Sequence, residues 1–305
     1  MAEDAERRRP MSGTWSAGGN LGTARSEHGG GGNGEDAICM GGYNNSYDYI
    51  NSTEEYSGTS WSSGGTLATA RAECGGDGNS SNAIIVGGDS GSGPLSSTQE
   101  YNGTAWGSGG ASSLARRYTT AAGNASGAIS AAGFFYDEET EDTWDYELTE
   151  EYNGTAWSAG GDLNSARHSN SLSGTASAAI CLGGTYSSTE EYNGTSWASG
   201  GDLLGARETH ASAGNPTAAI CMGGWDGSYN SLATCEAYDG SAWASDTSMN
   251  NARDSLAGGG SATAAISMGG HYDGLVVITE EYTGSLSSAY FGRGFCEGIF
   301  HGVMD

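Results

Sequence analysis

The densest run of chemically useful side chains is Asp137, Glu138, Glu139, Glu141, Asp142, Asp145 and Glu147, seven acids within eleven residues, with Trp144 among them. Carboxylates at that density could hold Ca²⁺ through oxygen ligands. Neither EF-hand nor nonapeptide spacing is present, so no metal site is assigned, and a charged, solvated loop explains the run as well. Tyr136 opens the same loop, and five other loops supply further aromatic rings, acids and amides: Tyr43, Tyr47, Asp48 and Tyr49; Asp89, without a ring; Tyr186; Trp225, Asp226 and Tyr229; His271, Tyr272 and Asp273. Rings stack on the apolar faces of sugars or side chains while carboxylates and amides hydrogen-bond, which is recognition chemistry. The same residues would also serve as plain solvated connectors. His28, His168, His210, His271 and His301 show no metal-ligand spacing. No catalytic residue and no cofactor is expected.

These residues need a scaffold, which is legible as a repeat. Ser188-Thr189-Glu190-Glu191-Tyr192-Asn193-Gly194-Thr195-Ser196-Trp197 has close copies ending at Trp61, Trp106 and Trp157, and a weaker one from Tyr238 to Trp243. Each reads as a short strand ending in Tyr, a two-residue turn and a second strand carrying Trp. Asn-Gly in three copies predicts a type I′ turn, in which both central residues take positive φ. Trp15, Trp61, Trp106, Trp157, Trp197 and Trp243 recur every 40 to 51 residues, a period suited to a four-stranded propeller blade. Within each period the order is Ala-Arg, a Gly-rich stretch, an apolar run ending in Gly-Gly (Ala132-Gly133 in the third copy), a variable loop, Glu-Tyr and Trp.

The expected fold is therefore all-β: a six-bladed β-propeller of four-stranded antiparallel blades. Residues 1–10 form an N-terminal arm, 11–285 the propeller and 286–305 a C-terminal docking tail. Gly13-Thr14-Trp15 lacks a preceding Glu-Tyr strand, and Glu280-Glu281-Tyr282 lacks a following Trp. The fragments are complementary, so the N-terminal strand should complete the last blade and close the ring, which removes exposed sheet edges. The apolar tail, with Tyr290, Phe291, Phe295 and Phe300, should dock on the propeller, on a second copy or on a partner.

Blade topology puts the loops between second and third strands on one face, together with those leading to the next blade. The copies differ from one another there, and the aromatic and acidic stretches above fall on that face. The opposite face should carry the Asn-Gly turns and small loops such as Gly76-Asp77-Gly78-Asn79. Arg25, Arg71, Arg116, Arg167, Arg207 and Arg253 hold one repeat position. Glu54, Glu150, Glu190, Glu236 and Glu280 hold another, with Gln99 as the exception. Ion pairs between blades are expected from them; sixfold recurrence marks scaffold, not active site. Cys39, Cys181 and Cys221 share a position and should be small buried thiols. The Asn-x-Ser/Thr sequons, three of which are the repeat's own Asn-Gly-Thr, are explained by turn chemistry.

Net charge is −26 and all 11 basic residues are arginine, six of them at the repeat position. Phosphate neutralisation needs basic residues gathered on one face, so nucleic acid is excluded as a partner, and anionic membrane with it. Residues 1–10 have no apolar signal segment, which makes cytoplasmic synthesis the expectation.

The order Arg, Gly-Gly, Glu-x-Tyr, Trp resembles the kelch repeat of galactose-oxidase-like propellers, over roughly residues 11 to 285. The wording GTSW, SGG, AR, TAAI, GG and TEEY is similar, more narrowly, to kelch-like proteins of aquatic bacteriophages. That resemblance implies a non-enzymatic binding or structural module: a virion appendage, tail fibre or decoration protein at the virion surface. Its partners would be host-surface glycans, or other virion or scaffold proteins, with a homo-oligomer through the tail as a further option. It also admits an intracellular interaction adaptor, although no recruiting BTB domain is attached, and a carbohydrate-active enzyme. Against the enzyme, galactose oxidases need copper held by two Tyr, two His and a Cys cross-linked to one Tyr, and no such set can be assigned. A sialidase-type Asp-box is absent as well.

Overall fold

A computed structural model of the chain describes residues 12–136, 143–228 and 230–285. All of its regular structure is strand, in six four-stranded antiparallel sheets and one extra hairpin. Blade one comprises Gly29–Gly32, Ala37–Met40, Thr53–Tyr56 and Trp61–Ser63, and blade two Gly75–Asn79, Asn82–Val86, Thr98–Tyr101 and Trp106–Ser108. Blade three comprises Thr120–Asn124, Gly127–Ala131, Thr149–Tyr152 and Trp157–Ala159, and blade four Asn170–Thr175, Ala178–Gly183, Thr189–Tyr192 and Trp197–Ser199. Ala211–Asn215, Ala218–Met222, Cys235–Tyr238 and Trp243–Asp246 make blade five. Blade six joins Ala257–Ser261, Ala264–Met268 and Thr279–Ser285 to the N-terminal strand Ser12–Ala17. Trp15 lies opposite Tyr282, ring centroids 5.1 Å apart. The first strands of neighbouring blades pack side by side around one axis, and the wheel is closed. This is the six-bladed β-propeller that the repeat predicts.

The hydrophobic core lies between blades. The second strands are sandwiched on both faces, so they read as unbroken apolar runs instead of alternating. Ile38 and Met40 of blade one pack with Ala83 and Ile85 of blade two. Ala37 and Cys39, on the other face of the same strand, pack with Ile266 and Met268 of blade six. The Gly-Gly after each run is a steric requirement. Gly41 and Gly42 have φ of 66° and 97°. A β-carbon on either would lie 2.6 Å from a carbonyl oxygen, of Arg71 or of Ser26 respectively. Ala132 takes the same left-handed conformation with φ of 63°, and carries its strain.

Three expectations need correcting. Asn102, Asn153 and Asn193 keep negative φ, and only the following glycines are positive. The turn is a four-residue loop between Tyr101 and Trp106, not a two-residue type I′ turn. The Asn102 side chain drives the change by accepting hydrogen bonds from the Thr104 and Ala105 amides, both at 3.0 Å. Gly76–Asn79 belongs to a first strand rather than to a loop, with the turn at Ser80 and Ser81.

The third correction concerns the ion pairs, which lie within blades. Arg25 and Glu54 (2.6 Å), Arg116 and Glu150 (3.0 Å), Arg167 and Glu190 (2.6 Å), Arg207 and Glu236, and Arg253 and Glu280 (3.2 Å) each join a blade's incoming loop to that blade's third strand. The second acid of Thr-Glu-Glu-Tyr bridges the seams instead. The Tyr56 hydroxyl donates to Glu281 of the preceding blade at 2.5 Å, and Tyr192 to Glu151 at 2.5 Å. Tyr101 reaches Glu55, Tyr152 reaches Glu100 and Tyr238 reaches Glu191 in the same way. Each Trp indole beside them donates to a threonine hydroxyl of the preceding blade, as Trp61 does to Thr279 and Trp106 to Thr53, both at 2.9 Å. Blade five carries Cys235 and Ala237 where those partners stand elsewhere. At that seam Trp15 donates to the Thr247 carbonyl (3.0 Å) and Tyr282 to Asp246.

Candidate functional site

Every variable loop is clamped at its base. Arg25 Nη1 donates to the Gly41 and Ser52 carbonyls, where the loop after the second strand begins and ends, each at 3.0 Å. Arg71 holds Gly87 and Ser97, Arg116 holds Ala132 and Leu148, and Arg253 holds Gly269 and Ile278. The paired glutamate caps the incoming loop, Glu54 accepting from the Gly22 and Thr23 amides. Gln99 keeps that role toward Ala68 without a charge. Loop length and content are thereby uncoupled from blade geometry. Blade three shows how far this goes: its expected loop is a hairpin, Phe134–Tyr136 against Thr143–Asp145, with the Phe135 and Trp144 rings 5.9 Å apart.

Two residues beyond each repeat arginine, the chain makes a collar around the axis. Glu27, Glu73, Tyr118, Ser169, Thr209 and Ser255 occupy equivalent places, and all six have φ between 49° and 55°. The Glu73 amide donates to the Glu27 carbonyl (2.8 Å), Tyr118 to Glu73 (2.7 Å), Thr209 to Ser169 (2.8 Å), Ser255 to Thr209 (2.8 Å) and Glu27 to Ser255 (3.0 Å). Left-handed backbone at six non-glycine residues is held by these inter-blade bonds. Flanking residues pair with the first residue of the variable loops, as in Ser26 with Tyr43, Ala72 with Asp89, Arg117 with Phe134 and Asp254 with His271.

On the side of blades one to three these rings meet in a polar cluster. The Tyr43 hydroxyl donates to Glu73 Oε1 at 3.0 Å and lies 3.0 Å from the Tyr49 hydroxyl, which donates to Asp89 Oδ1 at 3.0 Å. Arg117 Nη1 stands 3.9 Å from Glu73 and 3.7 Å from Asp89. Burial, with repulsion from Glu73 and Asp254, pushes the Glu27 carboxyl up to about 8 against a bond from Tyr118. Burial also raises Glu73, against bonds from Tyr43 and Tyr118 and the Arg117 charge. The Tyr43 and Tyr118 phenols are raised, chiefly by burial.

Below the collar runs a channel of about 910 Å³, bordered by Glu27, Glu73 and Tyr118 at one end and by Asn79, Asn124 and Asn215 toward the other. Asp77 sits within it, its carboxyl raised to about 7 by burial although the Gly78 and Gly123 amides both donate to it at 2.7 Å. His28 and His210 immediately precede two first strands and stay neutral, burial lowering both to about 3. The Cys39, Cys181 and Cys221 thiols are free and buried, and burial pushes each up to about 12.

Of the residues singled out in the sequence, Tyr43, Tyr49 and Asp89 come together in this cluster. Others stand apart. Tyr47, Tyr186 and Tyr272 are 71%, 51% and 55% exposed. Asp226 is a turn residue bonded to Ser228 and Asn230, and Asp48 pairs with Asn44. Asp145 meets His168 at 2.8 Å, Trp144 is exposed and Tyr136 half-buried. Trp225 and His271 pair with Glu208 and Asp254, and Asp273 turns at φ 51°. Asp137, Glu141, Asp142, Tyr229 and the tail residues Tyr290, Phe291, Phe295 and Phe300 lie outside the described residues. Among those described, no group of three or more His, Cys, Asp or Glu is placed to hold a metal ion.

Sequence reasoning passed over Glu27, Glu73, Arg117 and Tyr118. A signal existed: after an otherwise constant arginine, the first position carries a different residue in every copy and the second varies among Glu, Tyr, Ser and Thr. Neither a family model nor a curated protein matches the chain in sequence.

Proposed function

We propose that the chain is a non-enzymatic recognition module of kelch type, carried on a bacteriophage virion as an appendage or decoration protein. Its variable face contacts a host-surface glycan or another virion protein. One observation carries this reading. Among the described residues, the large apolar side chains left exposed are Tyr47, Trp144, Tyr186, Leu204 and Tyr272, four on connecting loops of the variable face and Trp144 on the hairpin that replaces one of them. A solvated connector has no reason to keep such side chains on one side only, whereas a binding face does. The repeat wording supports the kelch and phage assignment, and the acidic surface argues against a nucleic-acid partner.

The test is a glycan array together with capture on host cells, using the purified chain and the triple variant Tyr47→Ser, Tyr186→Ser, Tyr272→Ser. Saturable binding that the triple variant loses, with no turnover of the bound sugar, is the expected result. Turnover abolished by one carboxylate change, or equal binding by the variant, overturns the reading.

A further inference from the structure

The axial cluster on the variable face has more acid than its surroundings satisfy. Glu27, Glu73, Asp89 and Asp254 converge there, and the cation among them is Arg117. Arg117 does not settle the account: its nearest approaches, 3.7 and 3.9 Å, are beyond hydrogen-bond length, and its Nε has no partner. Asp89 is satisfied by Tyr49 and by the Gly91 amide at 2.6 Å. Asp254 accepts from Ser231 (2.6 Å) and Ser255 (2.9 Å), with His271 at 3.9 Å. The two glutamates are different. Glu73 has only 7% of its side-chain surface exposed, and its Oε2 accepts no hydrogen bond. Glu27 Oε2 is likewise buried without a hydrogen-bond partner. Both residues border the channel, at adjacent places on a collar fixed by backbone bonds. Three phenol rings, Tyr43, Tyr49 and Tyr118, stand beside them; Tyr43 and Tyr49 are 4.7 Å apart.

Carboxylate oxygens that lack a hydrogen bond and stand beside aromatic rings suit an organic cation, whose N–H groups bond to oxygen while its charge meets the rings. A divalent metal ion is less well served, since it needs more oxygen ligands than two free ones. We propose that an ammonium or guanidinium group binds at the axial mouth, hydrogen-bonded to Glu27 Oε2 and Glu73 Oε2 and bordered by Tyr43 and Tyr118. The group would come from a basic side chain of a partner protein or from an amino sugar. The proposal extends the recognition reading of this face, but it stands on axial groups alone, away from the exposed Tyr47, Tyr186 and Tyr272.

Glu27 and Glu73 face Asp254, Asp89, Arg117, Tyr43 and Tyr118. Cation binding should therefore expel the proton that burial keeps on Glu27. Calorimetric titration of the full chain with n-butylammonium, N-acetylarginine amide and glucosamine, against n-butanol and N-acetylglucosamine, reads this directly. The cations should bind, with proton release in buffers near pH 7, and the neutral compounds should not. Glu27→Gln and Glu73→Gln should each weaken binding about tenfold or more, while Asp202→Asn, an exposed acid on the loop leading to blade five, should leave it unchanged. Thermal unfolding of each variant checks that it folds. Binding by glucosamine but not by the other two assigns the amino sugar, and the reverse assigns a protein side chain. No binding by any cation at millimolar concentration, equal binding of neutral compounds, or unchanged affinity in both folded Gln variants overturns the proposal. The glycan array of the preceding section can succeed or fail independently of all these outcomes.

Discussion

The seams of the wheel and its axis are built from the same six repeats, yet they treat variation in opposite ways. At the rim, the second Glu, the Thr, the Tyr and the Trp recur at five junctions with the same donors and acceptors, and at the sixth Asp246 and the Thr247 carbonyl take the acceptor places for the same Tyr and Trp. At the collar only the backbone recurs, and the side chains are Glu, Glu, Tyr, Ser, Thr and Ser. The rim holds blades together through side chains, so its residue types are fixed. The collar holds them through N–H to C=O bonds, which any residue supplies, so its side chains are released for other work. The arginine clamps extend this separation outward by fixing loop ends and leaving loop contents free.

The comparison can be broken first at a clamp. Arg253→Ala should cost about 3–5 kcal/mol in denaturant unfolding, because it leaves Glu280 buried and unpaired. Arg71→Ala should cost less, since Gln99 carries no charge to strand. Equal losses would mean that the carbonyl bonds, not the ion pair, dominate.

Acid tests the axis next. His28 and His210 are neutral in the fold, lowered by burial to about 3 from an ordinary 6.5. Their contribution is complete above pH 6.5 and is lost as pH falls toward 3. Leu256 fills the same place in blade six, so the double variant His28→Leu, His210→Leu should fold and hold its stability to lower pH. Glu27 runs the other way: its carboxyl is raised to about 8, so its contribution is full below 4.5 and lost as pH rises through 8. Glu27→Gln should flatten that alkaline limb and leave the acid limb in place. Urea midpoints measured from pH 4 to pH 9 separate the two.

A single seam bond comes third. Tyr192→Phe removes a phenol that donates to Glu151 and should cost about 1.5–3 kcal/mol. The same change at Tyr238 should match it within about 0.5 kcal/mol if the seams are equivalent. The smallest effect belongs to blade three. Ala132→Gly relieves a left-handed alanine and should raise stability by about 0.5–1 kcal/mol, read as a shift in thermal midpoint. A loss there would show that burying its methyl outweighs the strain.

The blade count, the strand order within a blade and the closure by Trp15 were all in the sequence. Each rests on local spacing that repeats six times, and two unmatched half-blades can be completed only by each other. The Arg–Glu pairing could be read as chemistry but not as geometry. The arginine sits on the loop that enters its own blade and reaches that blade's third strand, while the Gly-Gly bend bonds the arginine of the next blade, and only three-dimensional placement distinguishes the two. The Asn-Gly turn was mistaken because a side-chain cap competed with the backbone rule and won. The axial cluster was least visible of all. Glu27, Glu73, Arg117 and Tyr118 come from three blades, separated by 44 to 46 residues from one blade to the next. A repeat places each of them at a fixed step along the chain; only closing the ring sets them face to face, because rotation about the axis turns equal steps in sequence into neighbours in space.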